Sequence, residues 1–136
     1  PLSHPPQDFF KKAVSGAEAK LLGRWGEALV AEDLRRRGWR IVAAGYRSRF
    51  GEIDLIAEDG RYLAFVEVKL RKSGAFAPAR AFVDRRKQEK LRITAECWLA
   101  EHPAGGLQPR FDVAEVYAPR GLGTERPQIQ YVLNAF

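Results

Sequence analysis

The alternation of apolar and polar positions divides the chain into a short series of elements. From about Ala17 to Arg37, Leu22, Leu29, Val30 and Leu34 recur at helical spacing, and Gly38 follows as a stop signal. Trp39 to about Tyr46, WRIVAAGY, reads as a first strand. The stretch Gly51 to Lys69, GEIDLIAEDGRYLAFVEVK, holds two apolar runs around Asp59-Gly60, a two-residue hairpin signal, and predicts the second and third strands. Arg71 to Pro78, RKSGAFAP, is punctuated by glycine and proline and reads as a loop. A second helix is expected from the N-cap Asp84 to Glu101, with Leu91, Ala95, Trp98 and Leu99 as its apolar stripe and Pro103 just beyond. Arg110 to Ala118 alternates like a strand, RGLGTERP is turn-rich, and Ile129 to Leu133 suits a last short strand. Residues 1–16, rich in proline and polar groups, read as a loosely held arm. Residues 17–136 then form one α/β domain with a mixed sheet.

Within the hairpin, a turn at Asp59-Gly60 pairs Glu58 with Arg61, Ile56 with Leu63, Asp54 with Phe65 and Glu52 with Glu67. Residues opposite each other share a face of the sheet. That register gathers Glu52, Asp54, Glu67 and Lys69 on one face, with Ile56, Leu63 and Phe65 nearer the turn. It puts Ile53, Leu55, Ala64, Val66 and Val68 on the other, an apolar face. A slip by one residue would mix the two sets. Asp54 and Glu67 become diagonal neighbours, so each ionised carboxylate raises the pKa of the other. Such a pair wants a counter-charge, and a hard divalent cation such as Mg²⁺, or Mn²⁺ in its place, suits oxygen ligands. A solvated strand face with scattered charges is the plainer alternative.

Two further residues strengthen the chemical reading. Lys69 lies two positions from Glu67 on one strand, hence beside it on the same face. There it can orient an attacking water or neutralise charge developing on a phosphate. Glu27 borders the apolar face of the first helix, at helical spacing from Gly23, Val30 and Leu34, and can point toward the sheet.

Composition narrows the partner. The chain has 136 residues, 46% of them hydrophobic, with a net charge of +6 and a pI near 9.8. That suits one core and a polyanionic partner, nucleic acid before an anionic membrane surface. Cys97 is the single cysteine, which rules out an intramolecular disulfide and a cysteine-rich zinc site. No apolar run approaches the roughly 18 residues of a membrane span, and PLSHPPQDFFKK lacks the apolar region of a signal peptide, so a cytoplasmic protein is expected. Between Arg71 and Arg92 eight basic residues stand against two acidic ones, an excess equal to that of the whole chain. Arg71, Lys72, Arg85, Arg86, Lys87 and Lys90 from this segment are the candidate phosphate contacts, placed directly after Glu67 and Lys69. The tryptophans Trp25, Trp39 and Trp98 are expected to pack, and no base-reading or stacking set is evident.

The order of an acidic residue in a first helix, an aspartate, and Glu-x-Lys on the next strand resembles the PD-(D/E)XK nuclease superfamily. The closer resemblance is to the bacterial YraN family, uncharacterised proteins similar to archaeal Holliday junction resolvases. It rests on GRWGEALVAEDL, GEIDLIA, FVEVKLR, VDRRKQEKLRITAECWL, RFDV and the terminal NAF, about Gly23 to Phe136. The resemblance implies a restriction-endonuclease-like fold, a central mixed β-sheet flanked by helices. By position it implies Asp54 and Glu67 as metal-binding acids, Lys69 as catalytic lysine, Glu27 as helix glutamate, and the backbone carbonyl of Val68 as a further metal ligand. Ile53 stands where the superfamily usually has proline, and the role of Glu52 stays open. The reading is a Mg²⁺-dependent DNA endonuclease, with branched DNA as one substrate class. Its alternative is a structure-selective nucleic-acid-binding protein that keeps the fold without cutting. Resolving a Holliday junction needs two sites, most simply in a symmetric homodimer, and no motif establishes one.

Overall fold

The structure, a computed structural model, describes residues 4–72 and 83–136, with side chains from residue 16 onward. Its order is α1 (His4–Arg36), β1 (Arg40–Ser48), β2 (Gly51–Glu58), β3 (Tyr62–Arg71), α2 (Arg85–Glu101), β4 (Gln108–Tyr117) and β5 (Gln128–Val132). The five strands form one sheet in the order β1-β2-β3-β4-β5. β3 and β4 are parallel, connected through α2, and every other neighbouring pair is antiparallel. The protein is therefore α/β, with a mixed sheet flanked by two helices, in keeping with a restriction-endonuclease-like fold. Among the described residues no helix is long and apolar enough to cross a membrane.

The helix expected from Ala17 is part of α1, whose backbone is helical from His4. Pro5 and Pro6 fall in its first turn, where a missing N–H costs no hydrogen bond. Pro1 to Ser3 of the expected arm lie outside the described residues, as do the side chains of residues 4–15. The stop signal at Gly38 works as a Schellman cap. Gly38 adopts φ +93, its N–H reaches the carbonyl of Arg35, and the N–H of Trp39 reaches that of Leu34. At the start of α2, the side chain of Asp84 accepts the N–H of Lys87 at 2.8 Å. Most of the expected loop at Arg71 to Pro78 falls outside the described residues, and Arg71 itself ends β3.

Each face of the sheet is sealed by one helix. On the α2 side Ile53, Ile56, Leu63, Phe65 and Val113 pack with Leu91, Ala95 and Trp98. On the α1 side Leu55, Ala57, Ala64, Val66, Ala114 and Val116 pack with Val30, Ala31 and Leu34. Trp98 is buried in the first set, while Trp25 and Trp39 pack against the second, as packing tryptophans should. The face assignment expected from alternation holds for seven of the eight apolar hairpin residues and fails at Ile53, which lies on the α2 side with Ile56. Residues three apart on one face mean that β2 breaks its alternation between them. The break coincides with Asp54, whose side chain turns toward β3 and accepts the N–H of Val68 at 2.8 Å. Across from it on β1 lies Gly45, flanked by the pairs Ala44–Leu55 and Tyr46–Ile53 and held at φ +65, a conformation glycine adopts without strain.

The hairpin register is also shifted by two residues from the expected one. Leu55 pairs with Val66, Ile56 with Phe65, Ala57 with Ala64 and Glu58 with Leu63. The turn is centred on Gly60 and Arg61 rather than on Asp59 and Gly60. Asp59 closes it, because its Oδ1 accepts the N–H groups of both Arg61 and Tyr62, and Gly60 takes φ +92. A two-residue shift keeps every side chain on its face but changes which residues stand opposite each other.

Candidate functional site

The corrected register sharpens the acidic pair. The β2–β3 ladder ends at Leu55–Val66, so Asp54 and Glu67 are the next residue of each strand beyond its last pair. Beyond that point β2 and β3 no longer pair, and the Asp54 carboxylate sits in the fork on the Val68 N–H. Glu67 is 8% exposed and follows Leu63 and Phe65 in alternation, so it emerges on the α2 side. Lys69 Nζ lies 3.5 Å from Glu67 Oε1. Sequence and structure therefore bring Asp54, Glu67, Val68 and Lys69 into one small region.

Burial and crowding leave their mark on the charges. The Asp54 carboxyl is pushed up to about 7, by desolvation first and then by Glu67, with Glu27 and Glu52 adding smaller pushes. The Val68 N–H pulls the other way. Glu27, half-buried on α1, is raised by burial, then by Glu52 and Glu67, against a lowering by Arg24. The Lys69 ammonium is lowered by burial first and by the proximity of Lys87 next. Asp54 on β2 and Glu27 on α1 thus both feel the carboxylates of Glu52 and Glu67.

Glu52 takes a different position from the expected one. It faces a cleft on the α1 side, lined by Lys20, Gly23, Arg24, Glu27, Gly45, Arg47 and Glu52 itself. The broken alternation at Asp54 separates it from Glu67, which faces α2. Arg47 approaches it at 3.5 Å, an exposed pair of little energetic weight. Lys20 and Arg24 in this cleft carried no sequence signal beyond their charge.

The basic segment divides. Lys87 reaches Glu67 Oε1 at 2.9 Å and so joins the acidic cluster. The signal was present in the N-cap. Side chains in a helix lean toward its N-terminus, and the Asp84 cap fixes the first turn, so a long residue there projects past the helix end. Arg71 is held in a buried ion pair with Glu115 at 2.8 Å. Lys72, Arg85, Arg86 and Lys90 are exposed. Cys97 is half-buried in α2, and His102 stacks on Trp98 at 3.7 Å, so neither joins the site.

The donor set is all oxygen. Among the described residues, no three of His, Cys, Asp and Glu stand close enough to hold an ion by themselves. A pair of carboxylates would suit Mg²⁺ better than a softer metal, since Mg²⁺ keeps several waters and takes one or two carboxylates. Zinc, which prefers a closed set of nitrogen and sulfur ligands, does not suit it.

Residues 26–116, which include Glu27 and the whole hairpin, match the uncharacterised protein family UPF0102. The chain belongs to that family. It is 41% identical over 123 residues to a UPF0102 protein of Methylococcus capsulatus, covering 90% of this chain and 96% of that one. A UPF0102 protein of Rhodococcus jostii is 42% identical over 116 residues, 85% of this chain and 95% of its own. One of Alkaliphilus metalliredigens is 38% identical over 118 residues, 87% and 99% respectively. The matched span of UPF0102 contains the fork, the Glu-x-Lys strand and α2, so the site lies within the part that defines the family.

Proposed function

We infer that this UPF0102 protein is a Mg²⁺-dependent endonuclease that hydrolyses DNA phosphodiester bonds, related to the PD-(D/E)XK nucleases. The observation that carries this reading is the fork itself. Asp54 and Glu67 follow directly on the last pair of the ladder, Asp54 is held on the Val68 N–H next to Glu67, and Lys69 approaches the Glu67 carboxylate. A pair of half-buried and buried carboxylates raises the energy of the ionised site, which favours a cation there. Bound Mg²⁺ would polarise the scissile phosphate and lower the pKa of a coordinated water.

The chain's residues divide the remaining work. Asp54, Glu67 and the Val68 carbonyl hold the ion, and Mn²⁺ satisfies the same oxygen donors. Lys69 aligns the attacking water and offsets negative charge that develops on the phosphate oxygens. The water oxygen forms a bond to phosphorus, one P–O ester bond breaks, the water gives up a proton, and the leaving oxygen takes one up. Glu27 lies on the far side of the acidic region and orients water or a second ion. Lys72, Arg85, Arg86 and Lys90 grip the backbone without reading sequence.

The test is cleavage of branched, single-stranded and plasmid DNA with Mg²⁺, Mn²⁺ or chelator, beside Glu67→Ala. Metal-dependent cutting that drops by about 10²-fold or more in the variant is expected. No cutting of any of the three DNAs with either metal would overturn the reading. Salt-sensitive binding without cutting would instead support a gripping module built on the same fold.

A further inference from the structure

Glu67 Oε1 is approached by two ammonium groups, and the two are not equivalent. Lys87 Nζ lies at 2.9 Å, a charge-assisted hydrogen bond, whereas Lys69 Nζ lies at 3.5 Å. Lys69 is on the same strand as Glu67, with its side chain 26% exposed. Lys87 comes from α2, with its side chain 39% exposed and a flexible four-carbon stem. It can leave Glu67 without any change in the sheet. The Glu67 side chain is only 10% exposed, so its carboxylate offers few free approaches. An ion bound between Asp54 and Glu67 would share the Glu67 carboxylate with the Lys87 ammonium, and the two like charges would repel each other.

We propose that Lys87 is a tethered competitor of the divalent cation at the Glu67 carboxylate, so that it weakens metal affinity in the free protein. This rests on the metal site described under the proposed function. The ammonium supplies one positive charge where the cation supplies two, and it is released to solvent or to a phosphate when the cation enters. By linkage, any anion that draws Lys87 away strengthens cation binding, and the cation in turn frees Lys87 for the anion. A DNA phosphate is the anion that the basic surface of α2 would bring.

Mn²⁺ titration without DNA, followed by calorimetry and by the electron paramagnetic resonance signal of free Mn²⁺, tests the competition apart from cleavage. Lys87→Gln is expected to bind Mn²⁺ about tenfold more tightly than the wild type, the size of one lost charge-assisted contact. Lys87→Arg, which keeps the charge, should remain within about twofold of the wild type. Arg92→Gln, an exposed change on α2, controls for general surface charge and should also stay within about twofold. Mn²⁺ binding in the wild type that is unchanged or weakened in Lys87→Gln overturns the competition and leaves the metal site standing. Mn²⁺ binding absent from the wild type and every variant removes the metal site and the competition together. Thermal melts in chelator confirm that each variant is folded before titration.

Discussion

Asp54 stands where the β2–β3 ladder ends, and its carboxylate accepts an N–H that a strand carbonyl would otherwise take. That geometry holds the side chain in place while burial and Glu67 push its carboxyl from the ordinary 3.8 to about 7. A raised carboxyl binds its proton more tightly in the folded than in the unfolded chain. Its stabilising contribution is complete below the unfolded value and is lost as pH rises through about 7. Glu27, raised as well, acts in the same direction. Asp54→Asn keeps an oxygen that can accept from Val68 but removes the charge. In metal-free buffer it should raise stability at pH 8 by on the order of 2 kcal/mol, less than the roughly 4 kcal/mol the full displacement implies, because Asp54 is only half-buried and solvent screens part of it. At pH 4 the two proteins should melt together. Chemical denaturation across pH 4–8 in chelator measures both limits. Equal stability at every pH would mean that Asp54 is solvated like any surface carboxylate.

At the scale of elements, α2 does two jobs: it covers one face of the sheet and delivers Lys87 to Glu67. Both depend on how its first turn is fixed. Asp84→Ala removes the acceptor for the Lys87 N–H and should cost about 1 kcal/mol, a fall of roughly 3–6 °C in melting temperature. Asp84→Asn should recover most of it, and a loss below about 0.3 kcal/mol for the alanine variant would show the cap to be idle. The cap, the stripe of Leu91, Ala95 and Trp98, and the stop at Gly38 were all legible in the sequence, because each is local chemistry with a short reach. The faces of the hairpin were legible for the same reason: alternation survives a shift of two. The pairing was not. Asp59-Gly60 is a turn signal by composition, but Asp59 is the side-chain acceptor that closes the turn, and that moves the whole register. The face of Ile53 is not legible because the kink at Asp54 goes with a contact to Val68, fourteen residues away in sequence. The approach of Lys87 to Glu67 is equally a tertiary event.

Across the whole molecule, the site has a basic flank on the α2 side that works against the helix bearing it. Arg85, Arg86 and Lys87 occupy the first turn of α2, which has no acidic residue, and positive charge there opposes the helix dipole. An anion placed at the same end would offset that opposition. With Arg71 committed to Glu115, the exposed or half-exposed candidates for phosphate contact are Lys72, Arg85, Arg86, Lys87 and Lys90. Five contacts predict that the logarithm of DNA affinity falls against the logarithm of salt with a slope of roughly −4. Replacing Arg85, Arg86 and Lys90 together by alanine should flatten that slope by about 2.5 and weaken binding alike for unrelated sequences of the same shape. The same triple variant should melt no lower than the wild type, since two of its changes relieve the dipole conflict. Fluorescence anisotropy between about 50 and 200 mM salt, beside a thermal melt, separates the two effects. A slope unchanged by the triple variant would move the DNA path to the opposite wall, where Lys20, Arg24 and Arg47 line the cleft beside Glu27. No detectable binding at the lowest salt would remove nucleic acid as the partner, because a basic surface placed against its own helix would then have nothing to hold.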